Sequence, residues 1–216
     1  MKQLFWSPFA CIVILLTQAG CSLVHDQVGE ECKSRAYVQM NLADFISERF
    51  RSEAPVRLAI IPFTVPANLA TRSIDQPGLD TTFTARLHEE LLRRGVVPII
   101  EVLNRHDWPG KKEEFAVANF GSLSFAKEAG YDFVLVGQIE PLRAGDRMAA
   151  NAKLIEVESG ITLYYGRTEA FTWRGDGKAV TDTLGITKTR PDINYSFELG
   201  GEMARCVADD IVKDTN

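Results

Sequence analysis

Three short apolar segments have the pattern of strands buried in a sheet. Val56–Phe63 is nearly continuous in apolar residues, which predicts a central strand covered on both faces. Pro62 should stand at its end, because proline cannot donate a hydrogen bond to a strand ladder. Val96–Val102 and Tyr131–Ile139 have the same pattern, and Pro98 favours an edge or irregular position for the first of these two.

Apolar residues recur at helical spacing between and after these segments. Leu79, Phe83, Leu87 and Leu91 repeat every four residues, and Gly95 is placed to end that helix. The same periodicity predicts further helices, whereas residues 32–41 show no clear period. The further helices are Leu42–Arg51, Lys111–Ala129 with a break near Gly121, and Tyr195–Val212.

The pattern changes to a hairpin in the last third of the chain. Arg147–Val157 and Ile161–Trp173 flank the turn residues Glu158-Ser159-Gly160. The early strand–helix–strand units need crossover connections, and the later strands favour an antiparallel meander. The predicted fold class is therefore α/β, of the α+β type. It is a single domain with a mixed parallel and antiparallel sheet, helices packed on it and a C-terminal helix.

The N-terminus has the pattern of a bacterial lipoprotein leader. Lys2 precedes an apolar run over Leu4–Leu16, which is shorter than the roughly 20 residues that span a bilayer. Ala19, Gly20 and Cys21 then resemble the lipobox, whose cysteine is diacylated, although Gln18 stands where leucine is usual. We expect a signal peptide over 1–20, a tether over 21–31 and the domain over 32–216. A plain secretory signal with an unmodified cysteine is the alternative.

Two of the four cysteines remain for the folded domain. Cys11 lies in the leader and Cys21 would carry lipid, which leaves Cys32 and Cys206 near the two ends of the domain. In an oxidising compartment such a pair persists as a disulfide. We predict a Cys32–Cys206 bridge that joins the N-terminal segment to the last helix, with two free buried thiols as the alternative.

Net charge excludes two classes of partner. The chain carries 24 basic and 29 acidic residues, for a formal net charge of -5. Nucleic-acid binding requires a basic face, and electrostatic docking on anionic lipid requires basic clusters. An acidic chain therefore predicts no nucleic-acid partner, and a membrane attachment that depends on something other than charge.

Known catalytic and metal-binding motifs are missing from the sequence. His25, His88 and His106 are scattered, and neither H-E-x-x-H nor C-x-x-C occurs, so three surface histidines are expected and no metal site. Ser122 follows Gly121 without the second glycine of a nucleophile elbow, which favours a helix-breaking or capping role. We therefore predict that the chain is not an enzyme.

One polar cluster keeps an enzyme-like or ligand-binding alternative open. Glu101 lies at the end of the second predicted strand, and Arg105, His106 and Asp107 follow it. Ligands of α/β proteins often bind at the carboxyl ends of strands. The cluster marks a cleft near Glu101 as the place to look for a small molecule or a glycan.

Several hydrophobic blocks together resemble a known group of envelope proteins. The blocks are Leu58–Phe63, Leu87–Gly95, Ile99–Val102, Ala126–Ile139 and Ala152–Ile161. They are similar to the superfamily of envelope lipoproteins that includes the curli-secretion lipoprotein, FlgO, the outer-membrane activators of peptidoglycan synthases and PelC. The likeness covers roughly residues 56–173 and the last helix, and its most specific points are Gly130 before Tyr131 and the Val136-Gly137 step. The resemblance implies a domain like the N-terminal domain of TolB, and an assembly or scaffold role.

These inferences define one functional hypothesis and one alternative. The chain is predicted to be a non-catalytic lipoprotein on the periplasmic face of the outer membrane, an assembly, scaffold or regulatory subunit of a cell-envelope machine. Its only bound group would be the lipid on Cys21, and its partner another envelope protein or further copies of itself. The candidate contact residues are Asn68, Asn104, Arg105 and Trp108, although Trp108 folded onto the core is an equal alternative. The alternative function is a periplasmic small-molecule or glycan-binding lipoprotein.

Overall fold

Six strands hydrogen-bond into one sheet within residues 31–51, 54–70, 77–103, 120–140, 147–171 and 193–213, the part of the chain that the computed structural model describes. The strands are β1 (Glu31–Gln39), β2 (Arg57–Ile60), β3 (Ile99–Val102), β4 (Phe133–Ile139), β5 (Arg147–Glu156) and β6 (Thr162–Phe171). Four helices accompany them in the same residues: α1 (Leu42–Arg49), α2 (Leu79–Arg94), α3 (Phe120–Glu128) and α4 (Ile193–Val212).

The sheet has the mixed topology predicted from the sequence. Its strand order is β1-β6-β5-β4-β2-β3. β2 pairs in parallel with β3 and β4, whereas β4, β5, β6 and β1 follow one another antiparallel. The parallel half comes from the two crossover units, because a helix must return the chain to the same edge of the sheet. The antiparallel half comes from the β5–β6 hairpin and from β1, which adds to its outer edge.

β2 is the buried interior strand that the apolar run predicts. Leu58, Ala59 and Ile60 are at most 2% exposed, so both faces of this strand are covered. Pro62 follows the strand, where the ladder has already ended. β3 lies at the sheet edge, as Pro98 indicates, and begins only after that residue at Ile99.

Three helices cover one face of the sheet and form the main core. α2 contributes Phe83, Leu87 and Leu91, all buried at the predicted four-residue spacing. Gly95 ends α2 in the left-handed conformation with φ 67°, which favours glycine. α4 presents its own apolar stripe to the same core, and α1 adds Leu42 beside it. The buried stripe of α4 is Leu199, Met203, Ala204, Val207, Ala208 and Ile211.

Glycine at position 137 allows an aromatic ring to pack across β4. A β-carbon at Gly137 would lie within collision distance of the Phe63 ring and 2.6 Å from the Asn151 carbonyl oxygen. Phe63 is 1% exposed and lies 4.9 Å, centroid to centroid, from Phe83 of α2. The Val136-Gly137 step in the sequence therefore marks the point where the chain after β2 lies over β4.

The second face of the sheet is covered over only part of its width. α3 packs Ala126 and Leu123 against Ala59 and Ile61 on the β2 side and against Val134 of β4, in a second, smaller cluster. This cluster ends at Ile155 of β5. The outer part of the same face, on β5, β6 and β1, has no helix of the described residues over it.

The structure differs from the sequence prediction at the N-terminus. Residues 31–39 form a strand, β1, where the sequence shows no clear pattern. Residues 32–38 are all exposed, so this strand has no buried face that would require apolar residues at every second position of the sequence. β1 is instead held by its backbone ladder with β6 and by a disulfide between Cys32 and Cys206 of α4, whose Cα atoms are 6.1 Å apart.

One helix boundary and the role of Ser122 differ from prediction. α1 ends at Arg49, two residues before the predicted end, because the Phe50 backbone leaves the helical region with φ -104° and ψ 73°. Gly121 lies in the first turn of α3, and residues 111–119 of the predicted helix lie outside the described residues. Ser122 lies inside α3 and is 1% exposed, and it is therefore neither a breaker nor a cap.

The β5–β6 hairpin turns around a buried carboxylate. Glu156 is 1% exposed and accepts a hydrogen bond from the Ser159 N–H at 2.7 Å, a short one from the Ser159 hydroxyl, and one from Arg49 Nε at 3.3 Å. Burial by itself would raise the pKa of Glu156, but the bonds from Ser159 and Arg49 outweigh it and lower the pKa below its usual value. Glu156 thus joins the hairpin turn to the end of α1.

Replacing Glu156 should weaken the fold in a pH-dependent way. The ionised carboxylate stabilises the folded state above its unfolded pKa of about 4.3, and this contribution is lost as the pH falls through the lowered folded pKa. We expect Glu156→Gln to lower the free energy of unfolding by about 1–3 kcal/mol near neutral pH and to flatten its acid dependence. Urea unfolding from neutral pH downward measures both effects.

Glu158→Gln is the matched control for this variant. Glu158 also pairs with Arg49, at 3.5 Å, but its side chain is 80% exposed. An exposed ion pair contributes little, so the control should stay within about 0.5 kcal/mol of the parent chain. Equal losses from both variants would contradict the role assigned to Glu156.

Removal of the disulfide should destabilise the chain chiefly by loosening β1. The bridge closes a sequence separation of 174 residues, so the Cys32→Ala/Cys206→Ala variant gains chain entropy when unfolded. We expect a loss of about 2–5 kcal/mol in the free energy of unfolding. Urea unfolding gives this value, and hydrogen exchange should show faster exchange in β1 than in β2. Alkylation of both native thiols in non-reducing mass spectrometry of exported protein would contradict the bridge.

Candidate functional site

The uncovered part of the sheet presents a polar and aromatic surface, which we call the open face. It consists of the side chains of β5, β6 and β1, with the end of β4, on the side away from α1, α2 and α4. Cross-strand register places these side chains in rows. From the start of β1 onward the rows are Phe171 with Arg147, then Lys33 with Glu169 and Glu140, then Arg35 with Arg167, Asn151 and Gln138, then Tyr37 with Tyr165 and Lys153.

An ion cluster occupies the centre of the open face. Arg167 binds Glu140 through two bonds, Nε to Oε1 at 2.8 Å and Nη2 to Oε2 at 3.0 Å, and reaches Glu169 at 3.3 Å. Asn151 donates a further bond to Glu140 at 3.1 Å. The hydrogen bonds that Arg167 donates to Glu140, and the charges of both carboxylates, raise the pKa of Arg167 above its already high value. The cluster also neutralises Arg167 where it faces Arg35 directly across the strands.

Aromatic rings and cations alternate on the two sides of this cluster. Tyr37 lies against Tyr165 with ring centroids 5.1 Å apart, and the Arg35 guanidinium lies 5.3 Å from the Tyr37 ring centre. These distances fall in the range of aromatic pairs and of cation–π contacts. Aromatic rings and cations therefore lie side by side on this part of the open face.

An apolar edge lies beside the Tyr37 row. Four of the five large hydrophobic residues exposed in the described chain are Tyr37 (50%), Val38 (36%), Met40 (39%) and Ile161 (45%). They gather at one end of the β1–β6 pair, where the Met40 N–H bonds to the Leu163 carbonyl. We call these four residues the apolar edge. The register shift between Ala36 and Val38 bends the strand there, which disfavours indiscriminate strand pairing at this edge.

A second set of contacts fixes β1 to α4. The Asp210 carboxylate accepts hydroxyl bonds from Ser34 at 2.7 Å and from Thr168 at 2.8 Å. The Gln39 amide donates to the Asp210 backbone carbonyl at 2.8 Å. Together with the disulfide, these bonds hold β1 in place, so the apolar edge and the outer rows of the open face have a defined position.

The polar cluster predicted near the second strand has a structural role at Glu101. The Glu101 carboxylate accepts bonds from Tyr131 Oη at 2.6 Å and from Arg57 Nη2 at 2.9 Å, and both bonds lower its pKa. Burial and the bond to Glu101 raise the pKa of Tyr131. Arg57 also donates to the Ala129 and Gly130 carbonyls at the end of α3. Through its Oε2 atom, Glu101 therefore ties Arg57 and the end of α3 to the β2–β3 edge.

The other predicted site residues are distributed as follows. Asn68 lies in an exposed turn after β2, as expected of a contact residue, and its role in binding stays a prediction. Cys21, Asn104, Arg105 and Trp108 lie outside the described residues, together with His106 and Asp107. His88, expected at the surface, is half-buried, because its Nε2 lies 3.0 Å from the Ile100 carbonyl oxygen in a hydrogen bond.

Sequence reasoning missed the open face because it missed β1. A signal was present, since residues 32–37 alternate Cys, Ser and Ala with Lys, Arg and Tyr at period two. In the structure the first set faces α4 and the second lies on the open face.

Among the described residues, no three His, Cys, Asp or Glu side chains gather as they would around a metal ion. In the same residues, no helix has the length and apolarity needed to cross a membrane.

Solved structures share this fold at low sequence identity. The PelC dodecamer from Paraburkholderia phytofirmans is 12% identical with a TM-score of 0.50, over 86% of this chain and 100% of that chain. Lipoprotein GNA1162 from Neisseria meningitidis is 13% identical with a TM-score of 0.40, over 58% and 87%. The LpoB C-terminal domain from Salmonella enterica is 12% identical with a TM-score of 0.35, over 62% and 96%.

These likenesses bear on the fold and not on the activity. The chain shares its α/β fold with PelC at 12% identity, and the fold implied by the predicted resemblance is confirmed at this level. No protein-family description and no curated protein matches the sequence. The particular function therefore has to be argued from the open face and the apolar edge.

Two arginines that face each other on the open face should differ sharply when replaced. Arg167→Met removes the partner of Glu140, whose side chain is only 19% exposed, so we expect a loss of about 1–3 kcal/mol in the free energy of unfolding. Arg35→Met removes an exposed like charge opposite Arg167 and should leave stability unchanged or slightly raised. Urea unfolding of the two variants side by side checks this, and equal effects would refute the ion cluster.

Proposed function

We propose that this chain is a lipid-anchored periplasmic lipoprotein that binds an envelope protein through its apolar edge and acts as a non-catalytic assembly or scaffold subunit. The apolar edge carries this proposal. Large contiguous apolar patches on soluble proteins mark interaction sites, so a group of exposed apolar side chains on one part of the surface favours a binding role. Here Tyr37, Val38, Met40 and Ile161 are all exposed at one end of one strand pair.

The anchor and location rest on the N-terminal pattern. Cys21 follows a short apolar leader, and its diacyl group would hold the chain on a membrane almost permanently. Ser22 after the cysteine, by the sorting rule of such lipoproteins, favours the outer membrane. A Cys32–Cys206 disulfide is suited to the oxidising periplasm.

A non-catalytic role agrees with how the charged residues of the described chain are used. Glu101, Glu156 and Arg167 each have hydrogen-bond partners that join neighbouring elements. Their hydrogen-bonding capacity stabilises the fold. In this proposal no cofactor is needed, and the lipid on Cys21 is the only bound group.

The partner is proposed to be a protein with an apolar binding surface. Tyrosine and methionine are enriched at protein interfaces, and Arg35 beside Tyr37 adds a residue type found in hot spots. Another copy of the chain is the second possibility for the same edge, since PelC, which shares the fold, is a dodecamer. An in vivo crosslink distinguishes the two.

A photo-crosslinking amino acid in place of Met40 in the full-length lipoprotein tests the proposal in intact cells. Mass spectrometry of the adducts should identify one envelope protein, or the chain itself, as the dominant partner. Leu92 offers a matched control, because it is equally exposed at 42% but lies on α2, away from the apolar edge. Crosslinks of equal yield and identity at both positions, or none at Met40, would refute binding through the apolar edge.

A further inference from the structure

The apolar edge includes a methionine that solutes can reach. Met40 is 39% exposed, and its backbone N–H bonds to the Leu163 carbonyl at 2.9 Å. The side-chain amide of the preceding residue, Gln39, donates to the Asp210 carbonyl of α4 at 2.8 Å. The backbone at Met40 is therefore fixed on both sides, and its side chain is presented at a defined place on the surface.

The other methionines of the described residues are protected. Met148 of β5 is 1% exposed and Met203 of α4 is 0% exposed, and both belong to the main core. Met1 lies in the expected leader. Because a folded core is close-packed, it excludes a dissolved oxidant from Met148 and Met203. Among the described methionines, Met40 is therefore the one that an oxidant reaches without unfolding.

The cysteines of the folded domain do not compete with Met40 for an oxidant. Free thiols are the other side chains whose sulfur is readily oxidised, to a degree that depends on thiolate character and exposure. Cys32 and Cys206 are already joined in a disulfide. Oxidation of sulfur in the described residues should therefore begin at Met40.

We propose that Met40 is an oxidation site that controls binding at the apolar edge, and that its conversion to methionine sulfoxide releases the partner protein. This inference rests on the proposed function and adds a regulation to the same surface. In the step, the Met40 sulfur takes the oxygen atom of hypochlorous acid. The sulfur–oxygen bond forms, the bonds of that oxygen to chlorine and to hydrogen break, and chloride and a proton leave. The sulfur loses two electrons and the chlorine gains them.

The sulfoxide changes an apolar contact into a polar one. Methionine is a flexible apolar side chain that adapts to irregular binding surfaces, whereas its sulfoxide is polar. A polar group that is enclosed in an apolar contact without a hydrogen-bond partner disfavours the bound state. Burial of a methionine side chain contributes roughly tenfold to a hundredfold in an equilibrium constant, so we expect oxidation to weaken binding by about tenfold or more.

Binding and oxidation should oppose each other. A partner that covers the apolar edge also shields Met40, so the free chain is the form that reacts. The sulfoxide then prevents the next association. Oxidation of Met40 would thus withdraw the chain from its complex as the complex exchanges, without changing the core.

The first measurement determines whether Met40 is the reactive site. The full-length lipoprotein in detergent micelles is treated with a small excess of hypochlorous acid, and peptide mass spectrometry follows each methionine. Since susceptibility depends on exposure, the sulfoxide should form about tenfold faster or more at Met40 than at Met148 and Met203. Urea should abolish the difference, because unfolding exposes all three. Equal rates in the folded chain would overturn the assignment of the site.

The second measurement follows binding in intact cells, with a photo-crosslinking amino acid in place of Ile161. Cells are treated with hypochlorous acid until mass spectrometry finds the Met40 sulfoxide, and are then irradiated. The parent chain should lose its crosslink by about tenfold, whereas Met40→Leu, which keeps an apolar side chain without sulfur, should retain it. Met40→Gln, with a polar side chain of similar length, should give the weak crosslink without oxidant.

Leu92→Met in the Met40→Leu chain is the matched control. Leu92 is 42% exposed on α2, away from the apolar edge, so a sulfoxide at this position should leave the crosslink unchanged. Loss of the crosslink in this control, or in Met40→Leu alone, to the same degree as in the parent chain would overturn the role of Met40. Urea unfolding verifies that the variants are folded.

Untreated cells separate this inference from the proposed function. Absence of a crosslink at position 161 before oxidation would refute binding through the apolar edge, and the regulation with it. A crosslink that persists although mass spectrometry finds the Met40 sulfoxide would refute the regulation alone, and the proposed function would stand.

Discussion

Burial of one sheet face beneath α1, α2 and α4 is the interaction on which the rest of the structure depends. The fully buried side chains of α2 and α4 meet Leu58, Phe133 and Leu154 of the sheet in one apolar cluster. Since burial of apolar surface is the dominant favourable term in folding, this layer determines which strands are central. β1 is attached to the finished layer by backbone hydrogen bonds, the disulfide and the Asp210 contacts, which explains how a strand with mostly exposed residues keeps a defined position.

On the second face of the sheet, ion pairs and ring contacts replace apolar burial over the outer strands. α3 is short and covers only the β2 and β4 side, so no helix of the described residues lies over the outward side chains of β5, β6 and β1. These side chains are satisfied by ion pairs and ring contacts. Arg167 with Glu140, Glu169 and Asn151 is one example, in which β6, β5 and the end of β4 meet.

The proposed binding surface lies at one end of an edge strand. The apolar edge offers hydrophobic contact, whose strength depends on area and shape. The register shift between Ala36 and Val38 lies at this end of β1. A strand at the sheet edge can serve for binding provided that its own position is fixed, as Cys32, Ser34 and Gln39 ensure.

The sequence by itself determined the elements whose burial leaves a period in the chain. The continuous run over β2, the four-residue spacing of α2, the hairpin around Glu158-Ser159-Gly160 and the mixed sheet were all predictable, because each depends on local pattern and on the rules of connection. The Cys32–Cys206 pairing was predicted by setting aside Cys11 and Cys21, with two free thiols as the alternative, and the structure places the two residues in a disulfide. Tertiary structure decided that residues 31–39 form a strand, because an exposed edge strand leaves only a weak alternation of small and long side chains in the sequence. It also decided that Glu101 binds Arg57 and Tyr131. Contacts of this kind depend on which residues the fold places side by side, and no local pattern in the sequence specifies them.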